Sequence, residues 1–171
     1  MADLDWHADR TDNFNLVTLD NLRVSDLDIQ ILQKYRLERV REQMLLHKID
    51  ACILSDAVNI RYATGARNMQ IFTARNAPSR YLILTQKDSI LFEFKGCEHL
   101  ALGLNTITSV ETSSTASFVA SGMNIDQKEK QWVQKISERL HNLVGTKATI
   151  AIERLNANIS IGLKEKGFVI K

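Results

Sequence analysis

Two apolar runs, Tyr81-Leu-Ile-Leu-Thr85 and Ser89-Ile-Leu-Phe-Glu-Phe94, are separated only by Gln86-Lys-Asp88. So short a connection makes the pair an antiparallel β-hairpin, because a parallel pair needs a much longer crossover. Around this hairpin, short apolar runs alternate with helical patterns. From Asp28, the residues Leu37, Val40 and Met44 recur at i, i+3 and i+7 with charges on the other face, predicting a helix that ends near His47-Lys48. Ala51-Cys-Ile-Leu54 is a buried strand. Ser55-Asp56 caps a short helix through Ile60 and Tyr62, which Gly65 ends.

Pro78 punctuates the loop before the hairpin. Beyond the hairpin, Glu98 to Leu104 reads as a short helix, Thr106 to Val110 as a strand, and the Ser/Thr-rich Glu111 to Gly122 as a loop. Asp126 with Glu129 three residues later has the form of a capping box, opening a helix with Trp132, Ile136, Leu140 and Leu143 on one stripe. Ala148 to Ile152 is another strand. A last helix carries Leu155, Ile159 and Leu163 and closes at Gly167, before the strand Phe168-Val-Ile170. Strands alternating with helices, together with one hairpin, predict a three-layer α/β sandwich with a mixed, partly antiparallel sheet. Residues 1–25 are polar, with Trp6, Phe14, Leu16 and Val17 as scattered apolar points, and read either as a disordered leader or as a polar N-terminal arm that packs on something. Residues 26–171 form the domain.

The balance of 22 basic and 20 acidic residues, net +2, gives no nucleic-acid-binding field. No apolar run approaches the ~20 residues that span a bilayer, and the N-terminus lacks a secretory pattern. Cys52 and Cys97 read as two buried thiols of a reducing compartment, so the expected location is the cytoplasm.

Catalytic patterns are scarce. The histidines are His7, His47, His99 and His141, without a His-Glu-x-x-His motif, and in Cys97-Glu98-His99 three possible ligands are adjacent and point apart. No Gly-x-Ser-x-Gly elbow or phosphate-binding glycine loop occurs among the 7 glycines. Catalysis and a metal or cofactor of the chain's own are not expected. The segment Asn59 to Arg80 differs in character. It sets Asn59, Arg61, Arg67, Asn68, Gln70, Arg75, Asn76 and Arg80 among Tyr62, Met69, Ile71 and Phe72. Loops at strand ends are where α/β proteins place binding groups, and an arginine there suits a carboxylate. The same residues also suit a surface loop whose Tyr62, Ile71 and Phe72 cover the core.

The order helix, Asp50-Ala-Cys-Ile-Leu54, Asn59-Ile-Arg-Tyr-Ala-Thr-Gly65, then hairpin, resembles the N-terminal domain of the creatinase, prolidase and aminopeptidase P enzymes. The string Asn59 to Thr64, then Asn68-Met-Gln70, then Asn76, is similar to the subgroup that contains metal-dependent dimethylsulfoniopropionate lyases. The resemblance runs from about Arg36 to Lys171. It implies a ribonuclease H-like sandwich, and a parent enzyme whose two divalent metal ions are bound by a separate C-terminal "pita-bread" domain outside this chain. It also implies a homodimer in which the N-terminal domain helps shape the partner's pocket. On that analogy Asn68, Met69, Gln70, Phe72 and Arg75 are substrate-side or interface residues, while Arg61 and Tyr62 support the loop. The expected role is a non-catalytic domain of a hydrolase or lyase of this family. The alternative is a stand-alone binding or interaction module that has lost the catalytic domain. The expected partners are the C-terminal catalytic domain and a second copy, with neither nucleic acid nor membrane.

Overall fold

The computed structural model describes residues 26–67 and 79–171. In chain order the elements are α1 (Asp26–Leu46), β1 (Ala51–Leu54), α2 (Ala57–Thr64), β2 (Tyr81–Thr85), β3 (Ser89–Glu93), a 3-10 turn (Glu98–Ala101) and β4 (Ser109–Thr112). There follow α3 (Phe118–Ser121), a second 3-10 turn (Gly122–Asn124), α4 (Ile125–Val144), β5 (Thr149–Ile152), α5 (Ala157–Glu165) and β6 (Val169–Ile170).

The strands form one mixed sheet in the order β4-β3-β2-β1-β5-β6. Only β2 runs against the others, pairing antiparallel with β1 and β3. The pairs β3–β4, β1–β5 and β5–β6 are parallel. The hairpin turn is tied locally, since Thr85 Oγ1 accepts from the Asp88 amide at 2.8 Å and Arg41 Nε donates to the Thr85 carbonyl at 3.1 Å.

Each face of the sheet has its own apolar layer. On one side Leu37 and Met44 of α1 and Ile60 and Ala63 of α2 pack on Cys52, Leu82, Leu84 and Leu91. On the other, Trp132, Ile136 and Leu140 of α4 and Ile159 and Leu163 of α5 cover Ile53, Tyr81, Ile83, Ile90, Phe92 and Ile150. Tyr81 stacks on Phe92 at 4.6 Å and meets Trp132 edge-on at 5.2 Å. Strands β2 and β3 are buried at every position, as strands covered on both faces must be. This is the expected three-layer sandwich. Among the described residues no helix is long and apolar enough to cross a membrane.

Several expectations need correction. Strand β4 begins at Ser109, three residues later than the apolar pattern suggested. The threonines ahead of it are spent otherwise: Thr106 Oγ1 bonds the Thr64 carbonyl, and Thr108 Oγ1 accepts from the Ser89 amide. The Ser/Thr-rich stretch is not all loop, for it contains the end of β4 and the short helix α3. The helix expected over Glu98 to Leu104 is one 3-10 turn ending at Ala101. The capping box fails too. Helix α4 starts at Ile125 behind Asn124, whose side chain makes no capping bond. The Glu129 carboxylate is buried instead and accepts from Asn156 Nδ2 at 2.6 Å and Asn158 Nδ2 at 2.8 Å. Cys52 is buried, whereas Cys97 is only half-buried.

Candidate functional site

Because five strands share one direction, their carboxyl ends lie along one rim. Helix α2 leaves β1 toward one face and α5 leaves β5 toward the other. The rim between β1 and β5 is therefore a topological switch point, where open α/β sheets hold ligands. Helix α2 starts from this rim, and β2, which runs the other way, begins at it.

Local sequence builds the rim well. Asp56 Oδ1 accepts from the Val58 amide at 2.8 Å and caps α2. Gly65, at φ 79°, ends it in the left-handed conformation that closes the last turn onto the Arg61 carbonyl. A side chain at Gly65 would also collide with Gln33, whose Nε2 lies 2.2 Å from where a Cβ would stand.

At the switch point the chain supplies its own anion. Glu153, just past β5, accepts from the Ser55 amide at 2.7 Å and the Asp56 amide at 2.6 Å, and its other oxygen bonds Asn59 Nδ2. Arg154 lies 3.5 Å from the Asp56 carboxylate. The amino end of α2, the natural seat for a phosphate or carboxylate ligand, is thus filled from within.

Further along, Arg80 stands directly before β2 and Glu93 ends β3. Their side chains meet at 2.6 Å with exposures of 1% and 0%. The sequence reading grouped Arg80 with the surface groups of the loop, and the structure instead buries it in an ion pair. The hairpin held the missing signal: Tyr81 pairs with Phe92, so the next positions outward, 80 and 93, face each other. Glu93 Oε1 also accepts from the Phe94 amide at 3.0 Å, while Arg80 Nη1 and Nη2 find no acceptor among the described residues. Nearby, the hydroxyls of Ser79 and Thr115 are 3.2 Å apart.

The other reactive side chains singled out by sequence stand in separate settings among the described residues. Burial, and next the Glu153 charge, push the Cys52 thiol up to about 11, so it is no thiolate nucleophile near neutrality. The Cys97-Glu98-His99 side chains turn to separate partners. Glu98 accepts from the Thr112 hydroxyl at 2.8 Å and the Gly96 amide at 2.7 Å, and His99 Nδ1 sits 3.1 Å from the Gly96 carbonyl. Hydrogen bonding, led by its own backbone amide, holds the Glu98 carboxyl below its ordinary range. Among the described residues no group of three His, Cys, Asp or Glu side chains could hold a metal ion.

Of the residues singled out by sequence, Asn68, Met69, Gln70, Phe72 and Arg75 lie outside the described residues. Arg61 and Tyr62 are both exposed on the outer face of α2, and the Arg36 guanidinium lies over the Tyr62 ring, 5.4 Å from its centroid.

Comparisons with known proteins agree with this architecture. The family model for the creatinase/prolidase N-terminal domain matches residues 36–161. The chain is similar to dimethylsulfoniopropionate lyase DddP of Roseovarius nubinhibens, 19% identical over 84% of this chain and 32% of the lyase. Its fold is similar to that of a dipeptidase from Pyrococcus horikoshii OT3, with TM-score 0.53 and 20% identity over 80% of this chain and 33% of the dipeptidase. It is also similar to an Xaa-Pro aminopeptidase structure from Streptococcus pyogenes, with TM-score 0.56 and 12% identity over 81% of this chain and 89% of that solved chain. The chain spans about a third of the length of the lyase and of the dipeptidase.

Proposed function

The chain belongs to the creatinase/prolidase N-terminal domain family, and from that premise we propose that it is the non-catalytic domain of a metal-dependent, Xaa-Pro-peptidase-like enzyme. The observation that carries the reading is the extent of the match. Most of this chain corresponds to about a third of two longer relatives. In this reading metal ions and bond cleavage belong to a catalytic partner domain, and the sandwich shapes the substrate pocket and a homodimer interface in the cytoplasm. The segment carrying Asn68, Met69, Gln70, Phe72 and Arg75 supplies the substrate-side groups. Support comes from its setting in the sequence: it lies between Gly65, which ends α2, and Arg80, which directly precedes β2, and connections between elements are where binding side chains commonly stand.

The test combines mass, metal and turnover on the purified 171-residue chain. Light scattering gives the oligomer, and metal analysis accompanies assays of Xaa-Pro hydrolysis and dimethylsulfoniopropionate cleavage. A metal-free, inactive dimer is the expected result. Stoichiometric metal with turnover by this chain alone overturns the reading.

A further inference from the structure

The outer surface of α1 and α2 carries an apolar face that the other described residues leave exposed. On α1, Ile31 and Tyr35 are one turn apart with exposures of 58% and 59%, and Leu32 is 43% exposed. On α2, Val58 and Tyr62 are likewise one turn apart, at 55% and 43%. Arg36, one turn after Leu32, lies over the Tyr62 ring at 5.4 Å, which joins the two helices' apolar residues into one stripe. Single exposed apolar residues are ordinary, but a stripe across two packed helices is a contact surface. The exposed charges of α1, α2 and the turn after α2 include Lys34, Arg39, Arg61 and Arg67, against Asp28, Glu38 and Glu42.

We propose that this face is the docking site of the chain's own residues 1–25, bound in cis. The segment joins α1 at Asp26, only about 8–14 Å along the helix axis from Ile31 and Tyr35. Four or five extended residues cover that distance, so about twenty remain to lie along the stripe. Its chemistry is complementary. It carries Asp3, Asp5, Asp9, Asp12 and Asp20 against Arg10 and Arg23, and it offers Trp6, Phe14, Leu16 and Val17 as apolar contacts. A segment of net acidic charge with apolar points matches an apolar stripe whose surroundings are basic on balance. The tether sets a local concentration in the millimolar range, which favours the attached segment over a second copy. The proposal is independent of the family reading, since it needs no catalytic partner.

Limited trypsin cleavage of the 171-residue chain at Arg10 and Arg23 tests it, with light scattering in parallel. In dilute, low-salt solution, cleavage is expected to be about tenfold slower than in the Tyr35→Ser, Tyr62→Ser double variant, because proteolysis follows the population of the open form. High salt should narrow the difference by screening the charges. The chain beginning at Asp26, compared by amide NMR, should show shifts confined to residues near 31–36 and 58–62. Equal cleavage rates overturn the proposal. So does protection that grows with protein concentration alongside a dimer lost on deleting residues 1–25, which would place a second copy's segment on the face.

Discussion

Replacing Glu93 with leucine tests the energetic reading of the carboxyl rim most sharply. The Glu93 carboxylate and the Arg80 guanidinium meet at 2.6 Å with almost no solvent exposure, and the two remaining guanidinium nitrogens have no acceptor among the described residues. In Glu93→Leu the positive charge stays buried without its counter-ion. Removing one member of a buried pair typically costs about 3–5 kcal/mol. For a chain of this size each kcal/mol lowers Tm by roughly 2–4 °C, so the melting point should fall by about 6–20 °C. Replacing both residues, Arg80→Leu with Glu93→Leu, removes both desolvated charges together, and the double variant should recover most of the loss. Urea unfolding of the wild type, both single variants and the double variant completes the cycle. A double variant no more stable than Glu93→Leu would refute the argument, as would a Glu93→Leu variant within about 0.5 kcal/mol of wild type.

Gly65→Ala should cost about 1–2 kcal/mol, because φ 79° suits glycine and the new methyl would push Gln33 aside; thermal unfolding reads it, and an unchanged Tm refutes it. Glu153→Ala should cost about 2–3 kcal/mol by removing the acceptor for the Ser55 and Asp56 amides. Faster hydrogen exchange at those two amides is the specific readout, and unaltered exchange would count against the plug. The Cys52 thiol rises from an ordinary 9.0 to about 11 on folding. The folded state therefore keeps a proton that the unfolded chain gives up, and stability present below pH 9.0 should decline toward pH 11 by about 2–3 kcal/mol. Burial also raises Tyr81, which acts in the same direction, so the comparison is with Cys52→Ala. Its alkaline decline should be shallower, and an identical slope would refute the assignment.

The parts of this fold written in local chemistry were legible in the sequence, and those made by distant partners were not. Asp56 and Gly65 announce both ends of α2, and the short turn between Tyr81–Thr85 and Ser89–Glu93 dictates the hairpin. Glu129 misled because its spacing from Asp126 imitates a capping box, while its real partners, Asn156 and Asn158, lie 27 and 29 residues away. Strand β4 misled because Thr106 and Thr108 spend their hydroxyls on backbone groups of Thr64 and Ser89, delaying the ladder to Ser109. At the site, Arg80 looked like one more polar group in a polar loop. Its burial follows from the hairpin register, a tertiary fact that residue type alone does not carry.

The placement of Glu153 bears on what the carboxyl rim of this sheet can bind. An open α/β sheet offers a ligand its best electrostatic seat where a helix amino end faces the switch point. Here the Ser55 and Asp56 amides and the Asn59 side chain are already committed to one carboxylate of the chain itself. A second anion at that point would meet like charge and find those donors taken. The backbone donors at this point of the rim are therefore not free to recognise a ligand. This makes Glu153→Ala informative beyond stability. If opening the amino end of α2 creates a phosphate site by NMR titration, the internal carboxylate is what keeps this rim inert, and if phosphate still fails to bind, the rim is inert for another reason and this argument falls.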